Sequence, residues 1–385
     1  MITKRSAIGA VVAVAGLLAG PLPATAAPAP PPWTVASGLD HPRGLAFGPD
    51  GTLYVAEAGH GGVPCRRIPA GGQVVAGLDR TGIGPVCAGA SGAIAAIRHG
   101  HVRRIVTGLP SPTTPADAEA AGAEATGAET TAAWAAGARA AGPSDVTVDP
   151  DGALSYTVGR GGGADLRTTA GLSGAALSDR GRFVIADIDA YLKGANPVSV
   201  LTVDRGKLVV DAGGDTLLRV GPRGRISTVA TFPRRIVPAP AGMRGGARAG
   251  APIPMDAVPT SVVRGPDGAF YVGELTGFPF PPGQARIWRI VPGERPRVFA
   301  TGLTAVVDLA WGPDRTLYAL QISRRGLLSG DRTGALVQVD PGGRHRVVVG
   351  DGLTAPGGLV VRGRYAYITD CSTCENTGSV VRVRL

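Results

Sequence analysis

Lysine is nearly missing from this chain: Lys4, Lys193 and Lys207 are the three among 385 residues, so its positive charge is almost all arginine. Aromatic residues make up only 5 %, and asparagine is reduced to Asn196 and Asn376. Charged residues are few as well, 18 % against 44 % apolar, which excludes an intrinsically disordered chain. Beyond the N-terminus no run of 18 uncharged residues is apolar enough to span a bilayer. What is abundant is glycine and proline, 60 and 33 residues, about a quarter of the chain. They follow no G-X-Y period, which excludes collagen, and their number argues against long helical bundles. A turn-rich β protein remains, with a formal net charge of +10.

The N-terminus has the layout of a secretory signal. Lys4 and Arg5 precede an uncharged apolar stretch from Ala7 to Ala19, too short to span a bilayer well. Pro21 and Pro23 break it, and Ala24-Thr25-Ala26 fits the small-x-small cleavage pattern. Residues 1–26 are therefore expected to be removed, 27–32 to form a Pro-rich linker, and the mature protein to be secreted; an uncleaved anchor is the alternative. In an oxidising compartment the four cysteines should be bridged. Cys65–Cys87 and Cys371–Cys374 are the expected pairs. The second pair is a CxxC that follows a strand pattern and has no helix to depress a thiol pKa, so a redox site is disfavoured. A zinc site lacks the double CxxC spacing.

One pattern recurs along the chain: a Pro or small residue, an apolar strand, a Gly/Asp turn and a second apolar strand. The copies are PRGLAFGPDGTLYVAE (42–57), PSDVTVDPDGALSYTV (143–158), PVSVLTVDRGKLVVD (197–211), PTSVVRGPDGAFYVGE (259–274), VVDLAWGPDRTLYALQ (306–321) and PGGLVVRGRYAYITD (356–370). Asp50-Gly51, Asp151-Gly152 and Asp267-Gly268 supply the positive-φ residue that tight hairpins need. Second hairpins follow at 92–110, 215–233, 285–303 and 334–353, with a less regular one at 174–188. Four strands per unit describe the blades of a β-propeller, and six copies predict six blades of the NHL/TolB-like kind over 33–385. The last unit has only three strands, ending in GSVVRVRL, and WTVAS at 33–37 matches the missing fourth. The N-terminal strand is thus expected to complete the last blade and close the ring, which removes exposed sheet edges. Two stretches interrupt the repeat. The Ala-rich insert 111–142 reads as a loose helical excursion, and 234–258 as an ordered crossing loop.

Several stretches resemble the ScyD/ScyE family of exported NHL-like propellers: GLDHPRGLAFGPDGTLYVAEAG (38–59), LVVDAGGDTLLRV (208–220), IPMDAVPTSVVRGPDGAFYVGELTGFPFPPG (253–283) and the segment LTAPGG…ITDCSTC (353–374). The likeness covers essentially all of 33–385. It implies the propeller fold and export, and it brings no established activity with it. Gln321 stands where that pattern usually has an acid.

In a propeller, the starts of first strands and the ends of second strands share one face around the channel mouth. Second-strand ends here carry Glu57, Asp211, Glu274, Gln321 and Asp370, and first strands carry Asp145 and Asp308 near their starts. Six carboxylates converging on one face must be relieved by arginine, protonation or a cation, and hard oxygen ligands suit Ca²⁺. The alternative is that they cap strand ends or meet Arg43 and Arg160. His41 and His60 are expected near the same mouth. Arg223, Arg225, Arg234, Arg235, Arg244 and Arg248 form a stretch with no acid between them, yet few aromatics accompany it, so nucleic acid is not an expected partner. No nucleophile motif is present. The leading reading is a monomeric, non-enzymatic propeller that binds a small molecule, glycan or protein at an acidic mouth. A metal-dependent hydrolase or lactonase of the gluconolactonase-like type is the alternative, weakened by the shortage of asparagine. A quinone-dependent sugar dehydrogenase has no distinctive residue to support it.

Protein recovered from culture medium should react with no thiol reagent after denaturation, and peptide mapping should recover a 65–87 link. Two or more titratable thiols would remove the bridge assignment.

Overall fold

The computed structural model describes residues 33–62, 65–66, 86–87, 89–112, 141–159, 165–168, 183–241 and 248–385. The expected signal and linker (1–32) and nearly all of the Ala-rich insert therefore lie outside the described residues.

The strands run in chain order as follows. β1 (Thr34–Leu39) comes first, then β2 (Pro42–Phe47) and β3 (Leu53–Glu57). A two-residue ribbon, β4 (Cys65–Arg66) with β5 (Val86–Cys87), precedes β6 (Gly92–Arg98) and β7 (His101–Leu109). Next are β8 (Pro143–Val148), β9 (Leu154–Val158), β10 (Asp165–Thr168) and β11 (Phe183–Asp187), followed by one helical turn, α1 (Ile188–Tyr191). β12 (Pro197–Val203), β13 (Gly206–Asp211), β14 (Thr216–Val220) and β15 (Ile226–Thr231) lead to a second ribbon, β16 (Arg235–Pro238) with β17 (Pro252–Met255). Then come β18 (Pro259–Arg264), β19 (Phe270–Glu274), β20 (Ala285–Ile290) and β21 (Arg297–Leu303). β22 (Val306–Trp311), β23 (Leu317–Gln321), β24 (Ala335–Val339) and β25 (Arg346–Val349) follow, and β26 (Gly358–Arg362), β27 (Tyr365–Asp370) and β28 (Gly378–Arg384) end the chain.

These strands form six four-stranded antiparallel sheets, each a local meander except the last. Sheet one is β2-β3-β6-β7, sheet two β8-β9-β10-β11, sheet three β12 to β15, sheet four β18 to β21 and sheet five β22 to β25. Sheet six is β26-β27-β28-β1, so the N-terminal strand pairs with the C-terminal one, Thr34 opposite Val381 and Leu39 opposite Gly378. The first strands touch in turn, β2 to β8, β12, β18, β22, β26 and back to β2, which is a closed ring around a central axis. This is an all-β propeller.

The alternation of apolar residues explains the packing, because both faces of each sheet are covered by its neighbours. Each buried apolar cluster bridges two adjacent sheets. Leu39, Leu53, Val55 and Val380 join sheets six and one, and Ile94, Leu109, Val146 and Tyr156 join one and two. Leu208, Phe232, Val262 and Trp288 join three and four, and Ile287, Leu309, Ala319 and Val337 join four and five. Burying each such side chain contributes roughly 1.5–3 kcal/mol. The hairpins between first and second strands use the expected turn chemistry. Gly51, Gly152 and Gly268 have φ of +83°, +84° and +81°, and the preceding aspartates accept the amide two residues on, as Asp50 does from Thr52 at 3.0 Å.

Three sequence expectations are modified. In sheet two the third strand is Asp165–Thr168, ahead of the 174–188 segment, which supplies only the fourth strand, Phe183–Asp187. Residues 234–258 are more than a crossing loop, since β16 and β17 pair as a ribbon with Arg235 opposite Met255. Two members of the acid-free arginine stretch meet acids that lie outside it, while Arg244 lies outside the described residues. Arg235 is ion-paired with Glu274 and Arg234 with Asp256.

Deleting Trp33–Ser37 should leave the outer edge of β28 unpaired and expose the buried cluster around Ala36 and Val380, costing about 3 kcal/mol or more. An unchanged thermal melting curve would show that this strand does not stabilise the ring.

Candidate functional site

The six carboxylates singled out from the repeat separate into two groups. Glu57, Asp211 and Glu274 are fully buried at second-strand ends, and Asp370 is half-buried at the same position. Each reaches a neighbouring backbone or side-chain donor of the protein. Glu57 Oε1 accepts the amide of Asp40 at 2.8 Å, Asp211 Oδ1 that of Asn196 at 2.5 Å, and Asp370 Oδ1 that of Thr354 at 2.7 Å. All three donors lie on the linker that arrives from the preceding sheet. Gln321 makes the same bond with its amide oxygen, accepting from Thr304 at 2.6 Å. A neutral side chain doing the same task shows that the position requires an acceptor and not a charge. The following backbone amide returns the contact: Ala58 donates to His41 at 3.1 Å and Ile322 to Ala305 at 3.1 Å.

Glu274 departs from this scheme. Its Oε2 accepts Trp288 Nε1 at 2.8 Å, and its Oε1 is ion-paired with Arg235. Arg104 provides the same neutralisation for Glu57, donating from Nε at 2.8 Å and Nη2 at 2.7 Å in the fork geometry that suits a carboxylate. The sequence offered no sign of Arg104, which lies 47 residues away on β7 and meets Glu57 on β3 across the intervening β6.

Asp145 and Asp308 form the second group. They sit on first strands, β8 and β22, which are three sheets apart and so face each other across the ring. At five of the six first strands the register slips near this point, between Pro143 and Asp145 and between Val306 and Asp308 among them. Such bulges re-aim side chains. Asp145 reaches sheet three, where its Oδ2 accepts Ser199 Oγ and the Val200 amide, both at 2.9 Å. Asp308 reaches sheet six and accepts the Leu359 amide at 2.6 Å. Equivalent positions hold Gly44, Ser199, Ser261 and Gly358. Gly44 is required by its neighbour, since a Cβ there would lie 2.0 Å from Asp145 Oδ1.

Burial pushes the Asp145 carboxyl up to about 6, against the hydrogen bonds from Val200, Ser199 and Val146. Burial lifts Asp308 well above the ordinary carboxylate range, and repulsion from Asp145 adds to it. Burial also raises Asp370 to about 6. Arg43, on β2 of the same inner ring, is lowered to about 10 by burial.

At the rim beside sheet one, Asp40 carries two imidazoles. His41 Nδ1 is 2.8 Å from Oδ1 and His60 Nδ1 2.5 Å from Oδ2. Burial alone would raise the Asp40 carboxyl, but those hydrogen bonds and the nearby histidine charges bring it below its usual value. His60 is partly exposed, and Glu375 lies 4.0 Å from it. The adjoining loop is closed by the Cys371–Cys374 disulfide, with Cα atoms 5.3 Å apart, and its Cys374 carbonyl accepts the His41 amide at 3.0 Å. In the small ribbon, Cys65 stands directly opposite Cys87. Among the described residues no group of three His, Cys, Asp or Glu side chains is arranged to hold a metal ion. No described helix is long and apolar enough to cross a membrane.

No protein-family model matches the chain, and no curated protein does. Among solved structures it is similar to a structural genomics protein of unknown function from Bacteroides thetaiotaomicron, with a TM-score of 0.51 and 10 % identity over 90 % of this chain and 70 % of that one. It is similar to the PQQ-bound aldose sugar dehydrogenase of Streptomyces coelicolor, with a TM-score of 0.50 and 11 % identity over 91 % and 96 %. The virginiamycin B lyase of Staphylococcus aureus gives a TM-score of 0.45 at 11 % identity over 89 % and 84 %. At such identities the likeness establishes the propeller class and nothing about chemistry.

The channel acids carry a pH signature. Asp145 binds its proton more tightly in the folded state, so the fold holds more protons than the unfolded chain between about pH 4 and 6. Stability from this group is complete below the unfolded carboxylate pKa and is lost as pH rises through about 6. Denaturant unfolding of Asp145→Asn should therefore fall less steeply over that range than wild type, by up to about 1.4 kcal/mol per pH unit. Parallel pH profiles would contradict the assignment.

Proposed function

We propose that this protein is an exported, six-bladed, ScyD/ScyE-like propeller that binds an organic ligand at its channel mouth without chemical turnover. The observation that carries this reading is the division of the acids. Glu57, Asp211, Glu274 and Asp370 close linkers or meet a tryptophan and arginines at strand ends, whereas Asp145 and Asp308, each also held by neighbouring amides, face each other across the ring with no ion pair to either among the described residues. Two buried acids with raised pKa values, able to donate or accept a proton, suit the hydroxyl and carbonyl groups of a small molecule or glycan better than a metal ion. Ca²⁺, which takes about 6–8 oxygens, has correspondingly little left to bind. The six sheets and the ring of first strands support the blade count. The signal-like residues 1–26 and the disulfide support secretion. A monomer with no nucleic-acid partner fits the closed ring and the pairing of Arg234 and Arg235. The hydrolase or lactonase reading is the second one, favoured only by the partly exposed His60 held by Asp40 in the manner of a general base.

A thermal-shift screen of sugars, lactones, Ca²⁺ and EDTA tests this. An organic ligand at 100 times its dissociation constant should add about 2.7 kcal/mol, and Asp308→Asn should abolish the gain. Stabilisation by Ca²⁺ alone, or lactone hydrolysis that is lost in His60→Ala, would replace the binding reading.

A further inference from the structure

At the opposite end of the ring, sheets four and five part to leave an open cleft of about 420 Å³. That falls within the ~300–1,000 Å³ range of small-molecule sites. Its walls include Phe299, Trp311, Arg315, Gln338, Arg344 and Arg346. The two aromatic walls are held rigid from behind. Tyr271 packs edge-on against both, with ring centroids 4.8 Å from Phe299 and 5.0 Å from Trp311. Its hydroxyl donates to Asp267 at 3.1 Å, and Asp267 is ion-paired with Arg289 at 2.8 Å. The Trp311 indole Nε1 is shielded from solvent yet has no hydrogen-bond partner.

The arginines are the less expected part. Arg315 occupies the hairpin position that is Gly51, Gly152 and Gly268 in three other sheets, and it keeps their left-handed backbone, with φ of +63°. A non-glycine residue in that conformation costs some backbone energy, here at a turn that places a charged side chain at the cleft. Arg315 is exposed, with Nη2 3.5 Å from the Pro266 carbonyl oxygen. Arg344 is exposed, 4.0 Å from Asp340, and Arg346 donates to the neutral Gln338. Three guanidinium groups against one carboxylate make the cleft an anion site, and their forked donors match a carboxylate.

We propose that this cleft binds a sugar ring bearing a carboxylate, a uronate unit of an anionic polysaccharide. The apolar ring face lies on Phe299 and Trp311, and the carboxylate meets the arginines. The open ends let a chain of such units pass. This site is separate from the channel mouth and does not depend on the reading given for it.

Calorimetric titration with a galacturonate trimer, a neutral galactose trimer and inorganic phosphate is the test. The galacturonate trimer should bind, and more weakly at high salt. Arg315→Gly should lower its affinity about tenfold while leaving the melting temperature equal or higher, because glycine relieves the backbone. Trp311→Phe should weaken binding several-fold, and the channel variant Asp308→Asn should leave it unchanged. Equal binding of the neutral trimer, equal binding of phosphate alone, no heat at millimolar galacturonate, or an Arg315→Gly protein of wild-type affinity would each overturn the proposal.

Discussion

The ring holds together because the amide on the linker arriving from one sheet is received by the side chain that ends the second strand of the next. Glu57, Asp211, Gln321 and Asp370 each make this bond. A hydrogen bond to a charged acceptor contributes about 1.5–3 kcal/mol, and a buried linker amide left without it would cost a comparable amount. The bond also sets where the first strand begins, and hence the height at which its side chains meet the central axis. Sheet two, whose second strand ends at Val158, places Asp145 without it, while the inner-ring positions of Ser199 and Asp308 follow from it. So does the loss of Glu57 and Glu274 as free ligands: fully buried charges need partners, and Arg104 and Arg235 provide them.

Against so regular a scaffold, departures from the repeat carry the information. Two acids replace the small residues at the third position of first strands, and Gly44 stays bare to make room for one of them. An arginine replaces the turn glycine of sheet five and retains its left-handed backbone. Asp40 has two histidines on one carboxylate at a linker where the other sheets have Ala257, Thr304 or Thr354. Each of these exceptions works against local economy, as functional positions tend to. The repeat is the support, and its breaks lie at the channel, the rim and the lower cleft.

The chain order of strands, the hairpin turns and the pairing of the first strand with the last were legible in the sequence, because period-two alternation and Asp-Gly turns are local signals that recur. The third strand of sheet two was misplaced, since Asp165–Thr168 is short and polar and offers no such alternation. The strand-end carboxylates were equally visible as a set, but their partners were not. Arg104 is 47 residues from Glu57, and Arg235 is 39 from Glu274. One pair is set by the register of sheet one and the other by the way the β16–β17 ribbon meets sheet four, and no local pattern encodes either.

What the sequence by itself determined is the repeating unit, since four strands with their turns are written into every copy. Whether an acid closes a linker or faces the channel was decided only by the tertiary structure. A one-residue bulge after the start of β8 or β22 turns Asp145 or Asp308 toward the next sheet. An unbroken second strand carries Glu57 or Asp211 to a waiting amide. The residue type is the same in both cases, so its protonation and availability come from the enclosure and donors that the neighbouring sheets supply.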